Sequence, residues 1–594
     1  MPGAGPATFA PPLAEVPLPA PDAASLLRRN GTDERFADRP ALRFGDLVWT
    51  HAQLLDEAVR YAALFVSRLE PGRPPHVGVL LDNTPDYVFA LCGAGLAGVA
   101  VAGLNHTRHG DHLTRDIVHT DVQFLITEPR HQQQIDAAIR GVDLPGGVLV
   151  SDRFADGDDP AAAGELLVRA LDEVQTAPLR ESLREGASPD PTVDALWALL
   201  FTSGTSAAPK AVRCTQYRLL TTGNRMATML ELTPDDVGYA AMPLFHTNSL
   251  MSGFAPALVA GASLSLARRF SAKRFLPDVR HYGATWFNYT GKVLAYVVAT
   301  PPRPDDADNP LRVAFGNEGS PGVVEAAATR FGMRIIDVFG STEGGIALDR
   351  TGQRPPSSIG RLRQGIMVVD DGGHEVPRAE FGVDGRLTNA DRCVGEIVNT
   401  LGVGPFEGYY RNEEAMRRTT RNGWYWSGDL GYVDRDGWVY FAGRTSDWLR
   451  VDGENFPAAP IEAVIARHPE VVLASVFGVP DPDSGDQVMA AVVLREGVSF
   501  EGESFAAWLD GQSELSPKWR PRFVRVARVL PTTPTNKVLT RTLVHEKFRS
   551  DRVGNDPVYV RDRGSPHFRS FTKEDEVGLR TAFEANGRGD AWAL

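Results

Sequence analysis

The chain has 594 residues, 43% of them hydrophobic and 23% charged, so it carries enough apolar surface for several packed units and is not disordered along its length. Its 62 Lys and Arg against 75 Asp and Glu leave a formal net charge of −13, which argues against nucleic-acid backbones and anionic membranes as partners. A polyanionic ligand must then be held by local cations and backbone N–H groups. Cys92, Cys214 and Cys393 lie far apart without a CxxC, which excludes a disulfide framework and a cysteine-rich zinc site and suits a reducing cytoplasm.

In chain order, residues 1–27 are rich in Pro and Ala, lack a basic start followed by an apolar run, and read as a loose arm rather than a signal peptide. From Ser25 to Ile126, amphipathic stretches such as HAQLLDEAVRYAALFVSRL alternate with apolar runs such as HVGVLL and QFLIT, a pattern of α/β layers with parallel strands. The uncharged run Tyr87–Leu104 just reaches the length of a membrane helix, but its Gly and Ala content favours a buried helix turning into a buried strand. Gly93, Gly95 and Gly98 inside it spell GxGxxG. A dinucleotide site needs that motif after a first strand and at the opening of a helix, so close packing is the better account and NAD is rejected. Between Ala155 and Asp194 the chain turns acidic and Pro/Gly-containing, a surface excursion. The α/β alternation then continues to about residue 440. A smaller α/β pattern follows residues 443–447, with IEAVIARHPEV as a helix, VVLASVFGV and QVMAAVVLRE as strands, and an amphipathic helix near the end.

Three segments carry chemistry. In LLFTSGTSAAPKAV an apolar run, Leu196 to Phe201, leads into Thr202, Ser203, Gly204, Thr205 and Ser206, with Lys210 at the end of the loop. Small hydroxyl residues around a Gly converge donors on phosphate oxygens, and the lysine adds a point charge; the spacing is not that of a P-loop. In RIIDVFGSTEGG a strand-like run ends in Gly340, Ser341, Thr342 and Glu343, offering a hydroxyl to phosphate and a carboxylate to Mg²⁺. In WYWSGDLGYVDRDGWVYFAGR, Asp429 precedes Arg444, and a carboxylate can accept from both hydroxyls of a ribose.

With these in place, the chain resembles the adenylate-forming superfamily of acyl-CoA synthetases over roughly residues 30 to 580. The family's phosphate loop appears as TSGTSAAPK, its YGxTE as FGSTE, its SGD as Ser427-Gly428-Asp429 and its hinge as Gly443-Arg444. LRVAFGNEGSP, RTSDWLRVDGEN and the terminal VYVRD…FRSFTKEDEVGL look like the fatty-acid transport protein or very-long-chain acyl-CoA synthetase branch. The resemblance implies a large multi-subdomain N-terminal α/β adenylation domain with parallel sheets flanked by helices, 28–444, and a small mobile α+β C-terminal domain, 445–594. It implies ATP, Mg²⁺ and CoA, a small-molecule carboxylic acid, and a cytoplasmic enzyme with no integral span that forms acyl-AMP and then acyl-CoA. A homodimer is compatible with it.

By position, Thr202 to Ser206 and Lys210 would bind the ATP phosphates, Thr342 would add a phosphate contact and Glu343 would hold Mg²⁺. Gly316, Asn317, Glu318 and Phe339 would frame the adenine beside Gly340, while Asp429 and Arg444 would hold the ribose. Lys537 matches the mobile catalytic lysine, His246 a position near the acyl pocket and pantetheine tunnel, and Ser446 the pivot of the small domain. Ala207, Ala211, Asn536 and Asp452 depart from the family pattern without removing a catalytic group. Two other readings stand beside this one. In the first, the same fold activates another oxyanion such as nitrite, or passes the acyl group to an amine or carrier protein. In the second, the chain is a membrane-associated fatty-acid import protein, supported only by the 87–104 run.

Overall fold

The computed structural model describes residues 17–185, 192–202, 210–355, 358–382, 387–444, 448–451, 454–483, 486–512, 514–533, 538–589 and 592. The phosphate-loop residues Ser203, Gly204, Thr205 and Ser206, the lysine Lys537, the pivot Ser446 and the side chain of Arg444 lie outside what is described.

Two large sheets form the bulk. One has eight strands, running from Ala347–Asp349 through Arg334–Gly340, Val313–Asn317, Trp286–Thr290, Val237–Ala240, Ser263–Leu266 and Pro40–Phe44 to Leu47–Thr50; only its two edge pairings are antiparallel. The other has seven, from Glu165–Leu166 through Val148–Val150, Phe124–Thr127, His76–Leu80, Ala100–Gly103 and Leu196–Phe201 to Ala211–Thr215, with the last pairing antiparallel. Parallel strands need crossovers and are covered on both faces, which is why HVGVL and FLIT are apolar throughout and buried at every position.

The uncharged run resolves into a helix, Pro85–Ala97, and a strand, Ala100–Gly103, both buried. Among the described residues no helix is long and apolar enough to cross a membrane. The import reading thereby loses its one support. The three glycines pack and turn. A Cβ on Gly93 would stand 2.6 Å from the Cβ of Tyr61 and 3.0 Å from the backbone nitrogen of Ala62, and Gly98 caps the helix at φ 65°. Gly93 therefore sets how closely this helix approaches His51–Arg68.

Other expectations shift. The arm ends earlier than expected: Asp22 caps the helix Ala23–Thr32 by accepting from the N–H of Ser25 at 2.6 Å, and Ala23, Ala24, Leu26 and Leu27 are buried. The 155–194 excursion adds an edge strand and the helices Leu167–Glu173 and Ala177–Glu185. Parallel α/β alternation stops near residue 350. Residues 358–444 form a six-stranded antiparallel sheet, because turns such as Asp434–Gly437 are too short for a crossover helix. In the C-terminal unit the helix is Ala459–Ile465, shorter than the apolar pattern suggests, since a turn at His468 precedes Pro469. Val471–Pro480 and Asp486–Leu494 pair in a five-stranded sheet, and Lys573–Ala585 closes the chain with a Thr572–Asp575 capping box.

Gly93→Ala should lower stability by roughly 1–3 kcal/mol through overpacking, whereas Gly578→Ala, on an exposed helix position with nothing within 4 Å, should raise it by up to about 1 kcal/mol. Urea unfolding of the two variants checks the contrast, and equal signs would overturn the packing role of Gly93.

Candidate functional site

The C-terminal ends of the parallel strands, the antiparallel sheet and the C-terminal unit enclose a cavity of about 2280 Å³. Among the described residues it is lined by Thr202, Lys210, His246, Asn317, Glu318, Phe339, Gly340, Thr342, Glu343 and Asp429, together with Gly443. Segments more than two hundred residues apart in sequence thus meet. Crevices beyond the carboxyl ends of parallel strands are where such sheets bind ligands.

The phosphate-loop segment is flanked by two paired strands. Leu196–Phe201 pairs with Ala211–Thr215, and the N–H of Thr202 donates to the carbonyl of Lys210 at 3.1 Å, so the two ends of the loop are pinned together at the cavity. The turn after Arg334–Gly340 is held from behind. Arg218, 4% exposed, donates to the carbonyl of Thr342 and, at 3.4 Å, to that of Glu343. From the front, the hydroxyl of Tyr409 donates to Oε1 of Glu343 at 2.7 Å. The ring of Tyr409 also lies 5.7 Å from the ammonium of Lys210. One tyrosine therefore spaces a cation from a carboxylate. Burial and the neighbouring Glu343 raise its pKa well above the usual phenol value, so it acts as a neutral donor.

The Asn317–Glu318 loop is held equally firmly. Asp337, 1% exposed, accepts from the hydroxyl of Tyr289 at 2.8 Å and from the N–H of Gly319 at 2.9 Å. Arg350 lies 3.2 Å from the same carboxylate and donates to the carbonyl of Gly319 at 2.8 Å. Glu318 takes φ +65°, a sparsely populated conformation for a side-chain-bearing residue. The loop passes so close to Gly291 that a Cβ there would stand 1.9 Å from the carbonyl oxygen of Glu318. Gly316 does not reach the cavity. It is buried on the strand, its α-carbon against Tyr289, and of this motif Asn317 and Glu318 line the space.

Phe339 and Phe441 form an aromatic wall, their ring centres 5.7 Å apart. Asp429, 6% exposed, pairs across the antiparallel ladder with the backbone of Arg444. A bulge opposite Glu396 and Val398 and φ +74° at Gly428 turn the SGD segment toward the cavity. Glu396 accepts from the N–H of Gly428 at 2.7 Å, and its own pKa is raised by burial, with Arg421, 3.1 Å away, opposing. His246 follows Phe245, their rings 4.4 Å apart, on a loop that Asn83 fixes through the carbonyls of Met242 and Ala267 and the N–H of Leu244. Sequence reasoning missed Tyr409, Arg218, Asp337, Tyr289 and Glu396. A tyrosine pair between a Gly and an Arg, GYYR at 408–411, was the one visible signal.

Asp82, His106 and His131 have ligand atoms within 4.8 Å of one another, a spacing that suits a metal. The donor chemistry does not. Asp82 already pairs with Arg130 at 3.1 Å, Arg269 at 2.9 Å and His131 at 3.1 Å, so the cluster is a charge network joining three strand ends. At the main cavity the donors fit Mg²⁺ better, a carboxylate and a hydroxyl on one turn, Glu343 and Thr342.

The AMP-binding enzyme family model matches residues 29–410, and the model of the AMP-binding enzyme C-terminal domain matches residues 460–537. The steroid-22-oyl-CoA synthetase of Rhodococcus jostii strain RHA1 is 44% identical over 556 residues, covering 93% of this chain and 96% of that protein. The medium/long-chain-fatty-acid–CoA ligase FadD17 of Mycobacterium marinum is 43% identical over 523 residues, covering 88% and 95%. The crystal structure of an anthranilate CoA ligase in complex with anthranoyl-AMP superposes with a TM-score of 0.72 at 23% identity, covering 89% of this chain and 98% of that one.

Tyr409→Phe should cost about tenfold or more in kcat/KM for ATP, as loss of a hydrogen bond to a charged group does, with little change in melting temperature. A variant as active as wild type would remove Tyr409 from the site. Burial lowers the pKa of His106 from 6.5 to about 4. Between those values the unfolded chain takes a proton that the native one refuses, so this group's contribution to stability falls as pH falls. His106→Asn should therefore flatten the loss of stability between pH 6.5 and 4 seen in urea titrations, and an unchanged slope would assign that loss elsewhere.

Proposed function

The chain belongs to the AMP-binding enzyme family and is an ATP-dependent acyl-CoA ligase working through an acyl adenylate; we propose that the acid it activates is a bulky apolar one, of the steroid side-chain or medium- to long-chain class. The two relatives are named for such acids, and apolar surface from Phe245, Ala295, Val298 and Ala326 lines part of the cavity. The observation that carries the residue assignments is the meeting of Thr202 and Lys210, the Thr342–Glu343 turn and Asp429 on one cavity.

A carboxylate is a poor acyl donor because its leaving group would be oxide. Attack of a carboxylate oxygen on the α-phosphorus of ATP expels pyrophosphate and leaves the acyl group on AMP, which the CoA thiol then displaces. The protein's task in the first step is to fix the reactants and balance the growing phosphate charge. In this proposal Lys210, the loop N–H groups and Thr342 hold phosphate oxygens, and Glu343, oriented by Tyr409, is the ligand for Mg²⁺, which when bound neutralises phosphate charge. Phe339 lies against the adenine and Asp429 accepts from the ribose. The segment 534–537 lies outside the described residues, but its flanks Thr532, Thr533 and Val538 line the same cavity, which supports Lys537 as the cation at the α-phosphate. The three thiols, Cys92, Cys214 and Cys393, are free and buried, which supports a reducing, cytoplasmic setting.

An acid panel read by pyrophosphate release, with and without CoA and with products identified by mass, tests this function. Wild type should release pyrophosphate with apolar acids and form acyl-CoA when CoA is added. Lys537→Ala should slow adenylation by several orders of magnitude, as loss of a transition-state cation does, and spare thioester formation from synthetic acyl adenylate. Equal loss in both half-reactions would sink the role of Lys537, and AMP products that ignore CoA would sink CoA as acceptor.

A further inference from the structure

The helix Gly291–Ala299 presents Lys292, Ala295 and Val298, one turn apart, to the cavity, beside Gly322, Val323 and Ala326 of Pro321–Phe331. This wall is apolar except for Lys292, which is only 8% exposed. Its ammonium lies over the Tyr296 ring, 5.4 Å from the centroid. Among the described residues no carboxylate pairs with it. The charged groups on neighbouring elements are engaged elsewhere: Arg274 with Asp278, Arg280 with Asp305, His281 beside Asp46, and Arg330 with Asp306. Lys273, Glu325, Glu318, the tyrosines Tyr282, Tyr289 and Tyr296, and Arg495 and Glu496 of the C-terminal unit, whose strand Val471–Pro480 packs on the same helix, are the other titratable groups around it, and none contributes to the shift of Lys292. Burial alone lowers its pKa, to about 8.

A buried ammonium without a counter-charge is costly, and a tyrosine face recovers only part of that cost. An apolar position here would serve packing better, so the charge points to a ligand. Among the described residues no hydrogen bond or ion pair joins Lys292 to Lys210, Tyr409 or Glu343, and on its own helix and the next it lines the cavity beside the small side chains Ala295, Val298, Val323 and Ala326. We propose that Lys292 determines substrate choice by donating to a second oxygen function on the acyl part of the acid, a carbonyl or carboxylate remote from the carboxyl that is adenylated. This rests on the acyl-CoA ligase reading and narrows it: the preferred substrate is an oxygenated apolar acid rather than a plain hydrocarbon chain. Bound anion and proton reinforce each other at such a site, so an anionic group would raise the lysine's pKa and hold it charged.

The test uses the full-length protein, ATP and three acids of one chain length: the plain saturated acid, the same chain bearing a ketone, and the dicarboxylic acid. In wild type, pyrophosphate release should favour at least one oxygenated acid by about tenfold or more in kcat/KM, since a site built for a polar group rejects the analogue lacking it. Lys292→Met should erase that preference through KM for the oxygenated acid, with KM for ATP unmoved, and Lys292→Arg should restore part of it. The wild-type preference should shrink as pH rises above about 8, and the Met variant should show no such trend. No preference in wild type overturns the assignment, as does a Met variant that weakens all three acids equally or raises KM for ATP. Failure of every acid in wild type overturns the ligase reading and this assignment together.

Discussion

Asp337 is the interaction on which the site depends. It lies on Arg334–Gly340, yet it takes a hydrogen bond from Tyr289, two strands away, and another from Gly319, just beyond the strand between them. Three adjacent parallel strands are thereby locked at the ends that face the cavity. A carboxylate at 1% exposure is tolerable only with such partners. Burial pushes its pKa up while Arg350, the tyrosine hydroxyl and the glycine N–H pull it down. The left-handed backbone of Glu318 and its close passage over Gly291 follow from the same clamp, because the loop between them has no room to relax.

The facing wall follows the same logic with different residues. Arg218 reaches from the helix Gln216–Met229 to the carbonyls of Thr342 and Glu343, while Thr215, which caps that helix, donates to Glu407 at 2.6 Å. Glu407 and Tyr409 lie on one stretch of chain, running beside Ala211–Thr215 through the bond from the N–H of Arg213 to the carbonyl of Gly408. The paired strands that flank residues 203–209, the turn that carries Glu343 and the linker that carries Tyr409 are therefore joined by hydrogen bonds into one unit. A shift of any of the three would separate Lys210 from Glu343, and catalysis by positioning is sensitive to displacements of about 1 Å.

What was legible in the sequence follows from the range of the forces involved. Leu196–Phe201 and the helix–strand split of residues 85–103 are readable because apolar runs, glycine caps and loop residues act locally. The hydroxyl- and carboxylate-bearing turns are readable because their chemistry lies within a few consecutive residues. Asp337 and Tyr289 are 48 residues apart, Tyr409 and Glu343 are 66 apart, and Arg218 and Thr342 are 124 apart. Nothing near an isolated Asp, Tyr or Arg in the chain marks it as one half of such a pair. Gly316 illustrates the converse: it sits in the expected motif, but the two-residue period of its strand points it at Tyr289 and leaves the cavity to its neighbours. The antiparallel sheet was missed for a third reason. Strand pairing depends on turn length as much as on apolar pattern, and 358–444 has both short turns and alternating side chains.

The charge balance shows how an acidic chain can host a polyanion. Over the whole sequence acids outnumber bases and the net charge is −13. Among the described residues of the cavity the order reverses, with eleven arginines and lysines against seven aspartates and glutamates. Some acids there are neutralised locally, Glu396 by Arg421 and Glu414 by Arg418, so their charge does not reach far into the space. At physiological ionic strength charges beyond about 8 Å are largely screened, and the acidic exterior does little to repel phosphate once it has entered. Inside, where water is displaced, the same cations act at higher strength. Net charge therefore governs solubility and non-specific contacts, while the sign of one cavity governs what binds, and the two can be opposite in one molecule.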